Sequence, residues 1–169
     1  MEPLFTPWRM EYVSSADRKE AGECIFCRAA TSNDDPETLT VWRWSSCFAM
    51  LNRYPYTSGH TMIAPLVHEG RLVRLPTETL AEMMEAVKVV VRVLDELYHP
   101  HGFNVGFNLG EAAGAGIPEH LHLHVVPRWR ADTNFISVVG NARIIPEDLS
   151  TTYHRVRDAL MKTSREEGP

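Results

Sequence analysis

The sequence lacks any apolar run long enough to cross a membrane, and its N-terminus lacks a basic stretch followed by an apolar one. It also lacks a cluster of basic residues of the kind that marks a nucleic-acid-binding surface, and its formal net charge at pH 7 is −5. We therefore expect a soluble, cytoplasmic protein that binds neither membranes nor nucleic acids.

Cysteine is scarce: the chain has three, and two of them form the Cys-x-x-Cys pair Cys24 and Cys27. This spacing fits a redox motif, half of a metal site or two idle thiols, and the βαβ unit that would favour a redox role is not evident downstream. A tetrahedral zinc site would need two more ligands, for which His68 and His120 are candidates. Cys47 stands in an apolar segment and is predicted to be a small buried side chain.

Length and composition predict one globular domain with a sizeable core, because 44% of the 169 residues are hydrophobic. Apolar alternation predicts strands and helical spacing predicts two helices. The strands are expected at 41–51, 60–65, 103–109 and 120–126, and the helices at 77–99 and 147–162. Strands before and after one long helix indicate an α+β fold with an antiparallel sheet.

Three parts of the chain are expected to pack as one body. Residues 1–23 form a lead-in, residues 24–130 form the domain, and residues 131–169 form an extension that packs on that domain. The apolar stripe of the long helix is expected to be core or a dimer interface, since periodicity cannot separate the two. Residues 163–169 are expected to fray.

Three histidines alternate with two leucines at residues 120–124. Since a strand has a side-chain period of two, the imidazoles would project from one face and the leucines from the other. A buried strand does not normally place costly polar groups at three alternate positions, so the pattern indicates chemistry rather than packing. A row of histidines satisfied by cross-strand partners and water is the structural alternative.

The geometry of a strand argues against one metal held by all three histidines. His120 and His124 would stand roughly 13 Å apart along a strand, and their side chains would be nearly parallel. Neutral imidazole is a good nucleophile when a hydrogen bond holds one ring nitrogen as N–H and leaves the other free. The central residue, His122, is placed to react. A metal hydrolase that uses His120 and His122 stays as an alternative.

A loop rich in glycine and alanine, residues 108–119, leads directly into the histidines. Backbone N–H groups in such a loop can cradle phosphate oxygens. Alone, the segment would equally fit an ordinary flexible turn. Next to the row of imidazoles, it indicates a phosphate site beside a nucleophile.

Together these residues resemble the histidine triad (HIT) superfamily of nucleotide hydrolases and transferases. The family signature, His-φ-His-φ-His-φ-φ with φ apolar, matches residues 120–126 at every position. The resemblance covers about residues 24–129, including 48–55 and the pair Gly59-His60, and makes 24–130 the HIT domain. The segments 126–129 and 134–136 are similar to one branch, the bacterial diadenosine tetraphosphate phosphorylases.

The resemblance implies a covalent mechanism. His122 would attack the α-phosphorus of a dinucleoside polyphosphate and form a nucleotidyl-histidine, with His120 completing the triad. His124 would contact the phosphate and help the leaving oxygen depart, and His60 would support the triad by hydrogen bonding. Because the related uridylyltransferases carry glutamine at the third position, His124 favours a hydrolase or phosphorylase. Water or inorganic phosphate would capture the intermediate, and the branch resemblance leans to phosphate.

The resemblance also implies a nucleoside pocket. Asn52 would bind ribose hydroxyls, while Phe48 and Leu51 would form the apolar side of the base pocket. Trp129 would stack on a second nucleoside or cap the site. Each also has a structural alternative, as a core residue or, for Asn52, as a turn former.

The phosphate donors implied by the resemblance are Asn108 and the backbone from Gly114 to Gly116. Gly116 departs from some hydrolases of the family, which carry a polar side chain there. Phosphate contacts at this position would therefore come from backbone groups.

A structural zinc ion is implied in the same way. In some HIT proteins a Cys-x-x-Cys pair joins two histidines around zinc, and Cys24, Cys27, His68 and His120 match that arrangement. Zinc would fix the start of the reactive strand and contribute to folding. Four protein ligands would leave no open position to activate water. The alternative is a pair of reduced thiols packed in the N-terminal layer.

Two further functions stay open. One is a nucleoside phosphoramidate hydrolase, like the smallest HIT proteins, and the other is a nucleotide-binding regulatory module with incidental catalysis. HIT proteins are commonly homodimers, so we expect one here. We expect no organic cofactor.

Overall fold

The computed structural model describes residues 24–130, 132 and 147–167, so the predicted lead-in 1–23 and the segment 134–136 lie outside the described residues. Within them one antiparallel sheet carries helices on both faces. The helices are α1 (Ile25–Thr31), α2 (Asp35–Thr38), α3 (Thr77–Tyr98) and α4 (Leu149–Glu167), with short 3-10 turns at Leu72–Arg74 and Glu111–Ala113. The strands are β1 (Thr40–Arg43), β2 (Cys47–Leu51), β3 (Thr61–Pro65), β4 (Gly102–Phe107) and β5 (Leu123–Arg128). The predicted α+β class is confirmed.

The order of strands in the sheet is β1-β2-β3-β5-β4, and every neighbouring pair is antiparallel. This order places β5 between β3 and β4, although β5 follows both of them in the sequence. His124 on β5 therefore stands opposite Met62 on one side and Gly106 on the other. The residues before His124 enter the sheet at its centre, where both neighbours can position them.

Helix α3 covers one face of the sheet and forms the main core. Its buried side chains, including Met83, Val90 and Leu94, pack against Leu123 and Val125 of β5. The buried side chains of the apolar stripe are therefore core, whereas Met84 is 50% exposed. The helix ends at Tyr98, where His99 adopts a left-handed conformation with φ of 45°, and Pro100 follows.

Within the described part of the chain, the opposite face of the sheet is only half covered. Helix α1 packs Phe26 and Ala29 over a second apolar cluster with Phe48, Met62 and Ala64 of β2 and β3. Beyond this cluster, the described residues leave the central positions of the edge strand β4 exposed. Helix α4 lies beside α3 and β1 and buries Tyr153, Val156 and Leu160 in the main core. Among the described residues, no helix is both long and apolar enough to span a bilayer.

The single strand predicted at 41–51 was wrong, because the structure has a hairpin of β1 and β2. A residue outside the hairpin stabilises the turn. The carboxylate of Glu82 on α3 accepts hydrogen bonds from the backbone N–H of Ser45 at 3.1 Å and of Ser46 at 2.6 Å. Trp44 closes the turn by donating its N–H to the carbonyl of Cys47. The acceptor lies more than thirty residues away in sequence, so local pattern does not reveal it. Cys47 is fully buried, as predicted.

The predicted start of the last strand at His120 was also wrong, because β5 begins at Leu123. Pro65, at the end of β3, has no N–H to donate to a longer β5. Leu121 donates its N–H instead to the carbonyl of Glu69, across 2.8 Å. His120 and His122 therefore stand on an irregular segment. The C-terminal helix likewise extends to Glu167, so the fraying expected from 163 was wrong for 163–167.

Candidate active site

Three histidines converge where this irregular segment enters β5. The ring centroids of His122 and His124 lie 5.0 Å apart, and those of His60 and His124 lie 5.2 Å apart. His60 immediately precedes β3, which pairs with β5. The structure thus brings His60, His122 and His124 into one row, while the imidazole of His120 turns toward the cysteines.

The hydrogen bonds fix the tautomer of His122. Its Nδ1 lies 2.9 Å from the carbonyl oxygen of His120. A carbonyl oxygen only accepts, so Nδ1 carries the proton and Nε2 keeps its lone pair. The side chain is 6% exposed, and this burial lowers the pKa of His122 below its ordinary value. The imidazole is therefore held neutral with Nε2 as a potential nucleophile.

The second pair of histidines forms a directional relay. The backbone N–H of Tyr56 donates to Nδ1 of His60 at 3.1 Å, so His60 carries its proton on Nε2. That Nε2 donates to Nδ1 of His124 across 3.0 Å. Neutral His124 consequently carries its own proton on Nε2. The two neighbouring imidazoles are complementary: His122 offers a lone pair and His124 offers an N–H.

Cys24, Cys27, His68 and His120 bring one ligand atom each into a group whose members all lie within 4.8 Å of one another. His120 donates from Nε2 to the carbonyl of Pro65 at 2.9 Å, which leaves its Nδ1 unprotonated. This Nδ1 lies 3.5 Å from Sγ of Cys24 and 3.7 Å from Sγ of Cys27. Nδ1 of His68 lies 3.2 Å from Sγ of Cys27.

These distances between ligand atoms fit tetrahedral coordination of one zinc ion. Zinc bonds of about 2.3 Å to sulfur and about 2.0 Å to nitrogen separate the ligand atoms of a tetrahedron by roughly 3.3–3.8 Å. The hydrogen bond from His120 to Pro65 also supplies the outer partner that metal-binding histidines usually have. The four residues could therefore hold a metal ion.

A cleft of about 390 Å³ opens on the uncovered face of β4 and β5. Its lining includes His124, Asn108, Asn104 and Arg128. Arg128 is oriented by Asp132, which accepts from its Nε at 2.6 Å, and by Asn104, which accepts from its Nη1 at 2.7 Å. The cleft therefore brings His124 close to polar side chains and to the ion pair of Arg128 with Asp132.

The glycine-rich loop borders this cleft. Gly110 and Gly114 have φ values of 85° and 88°, which residues other than glycine rarely adopt. Asn108 donates from Nδ2 to the carbonyl of Gly114 at 3.4 Å, so the amide side chain closes the loop. Gly116 is half-buried two residues further along.

The predicted base pocket is not assembled as expected. Phe48 and Leu51 are both fully buried, but Phe48 packs beneath α1 and Leu51 packs beneath α3. Positions separated by three residues on a strand face opposite sides, so the two side chains cannot line one pocket. Asn52 lies just after β2 and accepts the N–H of Tyr54 at 2.9 Å, which is a turn contact. Trp129 lies against the end of α3, donating to the carbonyl of Tyr98 at 3.4 Å.

Two aromatic residues that the sequence analysis did not single out contact the histidines. The ring of Phe26 stacks on His122, with centroids 4.7 Å apart. The ring of Tyr56 packs on His60 at 4.6 Å. For Phe26 a signal was available, because it lies between the two cysteines of the Cys-x-x-Cys pair.

Residues 35–131 match the HIT domain family. The AP-4-A phosphorylase of Mycobacterium tuberculosis is 40% identical over 157 residues, which are 90% of this chain and 80% of that protein. The asymmetrical bis(5'-nucleosyl)-tetraphosphatase of Schizosaccharomyces pombe is 31% identical over 84 residues, 50% of this chain and 46% of that protein. The crystal structure of a Zn-bound histidine triad family protein from Mycobacterium smegmatis has a TM-score of 0.69 at 29% identity, covering 85% of this chain and 97% of that one.

Proposed function

The chain belongs to the histidine triad (HIT) family, and from that premise we propose that it is a phosphorylase or hydrolase of diadenosine polyphosphates such as diadenosine tetraphosphate. Its reaction passes through a nucleotidyl-histidine on His122. The observation that carries the proposal is the complementary pair of tautomers, with the lone pair on Nε2 of His122 and the N–H on Nε2 of His124. The similarity to the AP-4-A phosphorylase supports the choice of substrate.

In the first step Nε2 of His122 attacks the α-phosphorus. A P–N bond forms and the P–O bond to the leaving nucleoside polyphosphate breaks. The Nε2–H of His124 protonates the leaving oxygen, and His60 holds His124 in the orientation that makes this possible. Attack at phosphorus requires in-line positioning and stabilised oxygens, which we assign to Asn108 and the backbone from Gly114 to Gly116.

In the second step an acceptor attacks the same phosphorus and breaks the P–N bond, which returns the electron pair to Nε2 of His122. The acceptor's proton passes to His124. Inorganic phosphate as acceptor yields ADP, and water yields AMP. We assign phosphate as the acceptor from the phosphorylase similarity, while the tetraphosphatase similarity favours water as the second candidate.

We assign zinc to the group of Cys24, Cys27, His68 and His120. When bound, zinc supplies a structural cross-link with no open position for water. The Zn-bound relative from M. smegmatis supports this assignment. Asn52 is proposed to bind ribose and Trp129 to cap the far side of the substrate.

We also propose that the protein is a cytoplasmic homodimer. Among the described residues, β4 is an edge strand whose central positions are exposed, so its backbone groups can pair with a second copy. Sedimentation analysis of the full chain tests this, since a monomer at micromolar concentration would contradict it.

Product analysis with diadenosine tetraphosphate, with and without inorganic phosphate, tests the function. ADP plus ATP that depends on phosphate supports a phosphorylase, and AMP plus ATP without phosphate supports a hydrolase. His122→Ala is the control and should remove turnover while largely sparing binding. No turnover by the wild-type protein would favour a nucleoside phosphoramidate hydrolase or a nucleotide-binding regulatory module.

A further inference from the structure

The helix that carries the two cysteines also places a ring on His122. Phe26 lies between Cys24 and Cys27, and its side chain is 1% exposed. Its ring stacks on the imidazole of His122 with an interplanar angle of 30°, and it packs on His120 at 5.1 Å. One side chain therefore contacts both the metal-ligand candidate and the proposed nucleophile.

The hydrogen bond to the carbonyl of His120 fixes one atom of the His122 ring, but a ring held at one atom can still tilt and rotate. Stacking against Phe26 limits this freedom, since the two rings lie face to face at 4.7 Å. In-line attack depends on the direction of the lone pair, so the plane of the imidazole matters as much as its tautomer.

The position of Phe26 depends in turn on how α1 is held. A helix of seven residues is not stable by itself and needs tertiary anchors. Arg43 anchors its C-terminal end by donating to the carbonyl of Ala29 at 2.8 Å. At the N-terminal end Phe26 packs against Phe48, Met62 and Ala64. Cys24 and Cys27 lie there beside His68 and His120, where a bound metal would add a second anchor.

We propose that Phe26 is a positioning residue that couples the metal site to the nucleophile: the bound metal holds α1, and α1 holds the plane of the His122 imidazole. The inference rests on the proposed function, because it assigns Phe26 a part in the reaction of His122. Metal removal then slows the chemical step by releasing Phe26.

The test compares Phe26→Leu, which removes the ring, with Phe26→Tyr, which keeps it. Ile25→Ala is the matched control, because Ile25 lies on the same turn between the cysteines but is 41% exposed. We expect Phe26→Leu to bind one zinc per chain with nearly unchanged KM and to lose on the order of tenfold to hundredfold in kcat. Phe26→Tyr should recover most of that loss, and Ile25→Ala should match the wild type. A raised KM with unchanged kcat would overturn the proposal, since it would make Phe26 a substrate contact.

Metal removal provides the second arm. A chelator should lower kcat of the wild type about as much as Phe26→Leu does, and should lower kcat of Phe26→Leu little further, because both changes break the same link. Equal fold-losses in the two proteins would overturn the proposal and favour a metal that acts in the chemistry. If the metal-free protein loses its fold, the comparison of the three zinc-loaded variants decides.

A measurement on His122 itself separates this inference from the proposed function. Relaxation of the ring carbons of His122 reports how freely the imidazole reorients, and it does so whether or not the protein turns over a dinucleotide. We expect a rigid ring in the wild type and in Ile25→Ala, and a more mobile ring in Phe26→Leu and in the metal-free wild type. A ring that is equally rigid in all four samples would overturn the inference, even if the wild type is an active phosphorylase.

Discussion

His60 donates from its Nε2 to Nδ1 of His124 across 3.0 Å, so a residue outside the triad sets the tautomer of the triad's last member. The direction of this bond follows from the backbone N–H of Tyr56, which occupies Nδ1 of His60. The chain of donors therefore begins at a peptide group and ends at the Nε2–H of His124. A peptide N–H can only donate, so it sets the direction of both hydrogen bonds that follow from it.

The first prediction follows from this series of hydrogen bonds. His60→Ala should lower kcat by about tenfold to hundredfold, because His124 would no longer be held as the Nε2–H donor. KM should change little, since His60 is buried and does not line the described cleft, which His124 does. Steady-state kinetics check this, with His154→Ala, an exposed histidine on α4, as the control. A change in KM alone would contradict the relay.

The alternation of histidine and leucine predicted which side chains of this segment enter the core, but not the conformation of its backbone. Leu123 does enter the core below α3, as the alternation predicts. The bonds from Leu121 to Glu69 and from His122 to the carbonyl of His120 replace the ladder that a strand would have formed. These are long-range or backbone contacts with no signature in residue type, so the irregular segment could not be predicted from pattern.

The four predicted metal ligands lie together. The Cys-x-x-Cys pair is visible in the sequence, whereas the resemblance to the HIT superfamily is what links His68 and His120 to it. The predicted pocket side chains Phe48 and Leu51, in contrast, do not lie together. Phe48 and Leu51 are ordinary core residue types, and the period of two in the predicted strand 41–51 already puts them on opposite faces. Only the structure shows that α1 covers one and α3 the other. Glu82 was equally hidden, since its role depends on the fold bringing α3 against the hairpin.

The second prediction concerns the metal site. Cys27→Ser should lower zinc affinity and lower the free energy of unfolding, because a structural zinc contributes its binding energy to the folded state. Zinc content and denaturant unfolding, measured on the same samples, check this. Cys47→Ser, which removes a thiol outside the cluster, is the comparison for zinc content and should keep one zinc per chain. Equal zinc content in the Cys27 and Cys47 variants would count against the assignment.

The third prediction uses the close approach of Gly70 to the segment before the triad. A Cβ on Gly70 would lie 2.1 Å from the carbonyl oxygen of Pro118 and 2.9 Å from the backbone of Glu119. Backbone atoms cannot rotate away, so Gly70→Ala should displace the approach to His120 and destabilise the protein by about 1–3 kcal/mol. Thermal and denaturant unfolding check the stability, and zinc content checks the displacement.

Gly102→Ala is the matched control for that change, because a Cβ there meets nothing within 4 Å. It should unfold near the wild-type midpoint and bind zinc normally. If Gly70→Ala behaves in the same way, the contact between Gly70 and Pro118 does not position the triad.

The last prediction concerns the carboxylate of Glu147, which joins α4 to the end of α3. It accepts from the hydroxyl of Tyr98 at 2.6 Å and of Thr152 at 2.8 Å, and it is paired with Arg155. Burial alone would raise the pKa of Glu147, but the hydrogen bonds from Tyr98, Arg155 and Thr152 outweigh burial and lower that pKa below its ordinary value.

A carboxyl with a lowered pKa in the folded state stabilises the fold above its unfolded pKa, and this contribution disappears as the pH falls through the folded value. Glu147→Gln should therefore lower the free energy of unfolding by about 1–2 kcal/mol at pH 7, allowing for the partial exposure of Arg155. The difference in this free energy from the wild type should shrink toward pH 3. Urea unfolding at both pH values checks this, and a difference that is constant with pH would mean that the charge of Glu147 contributes nothing.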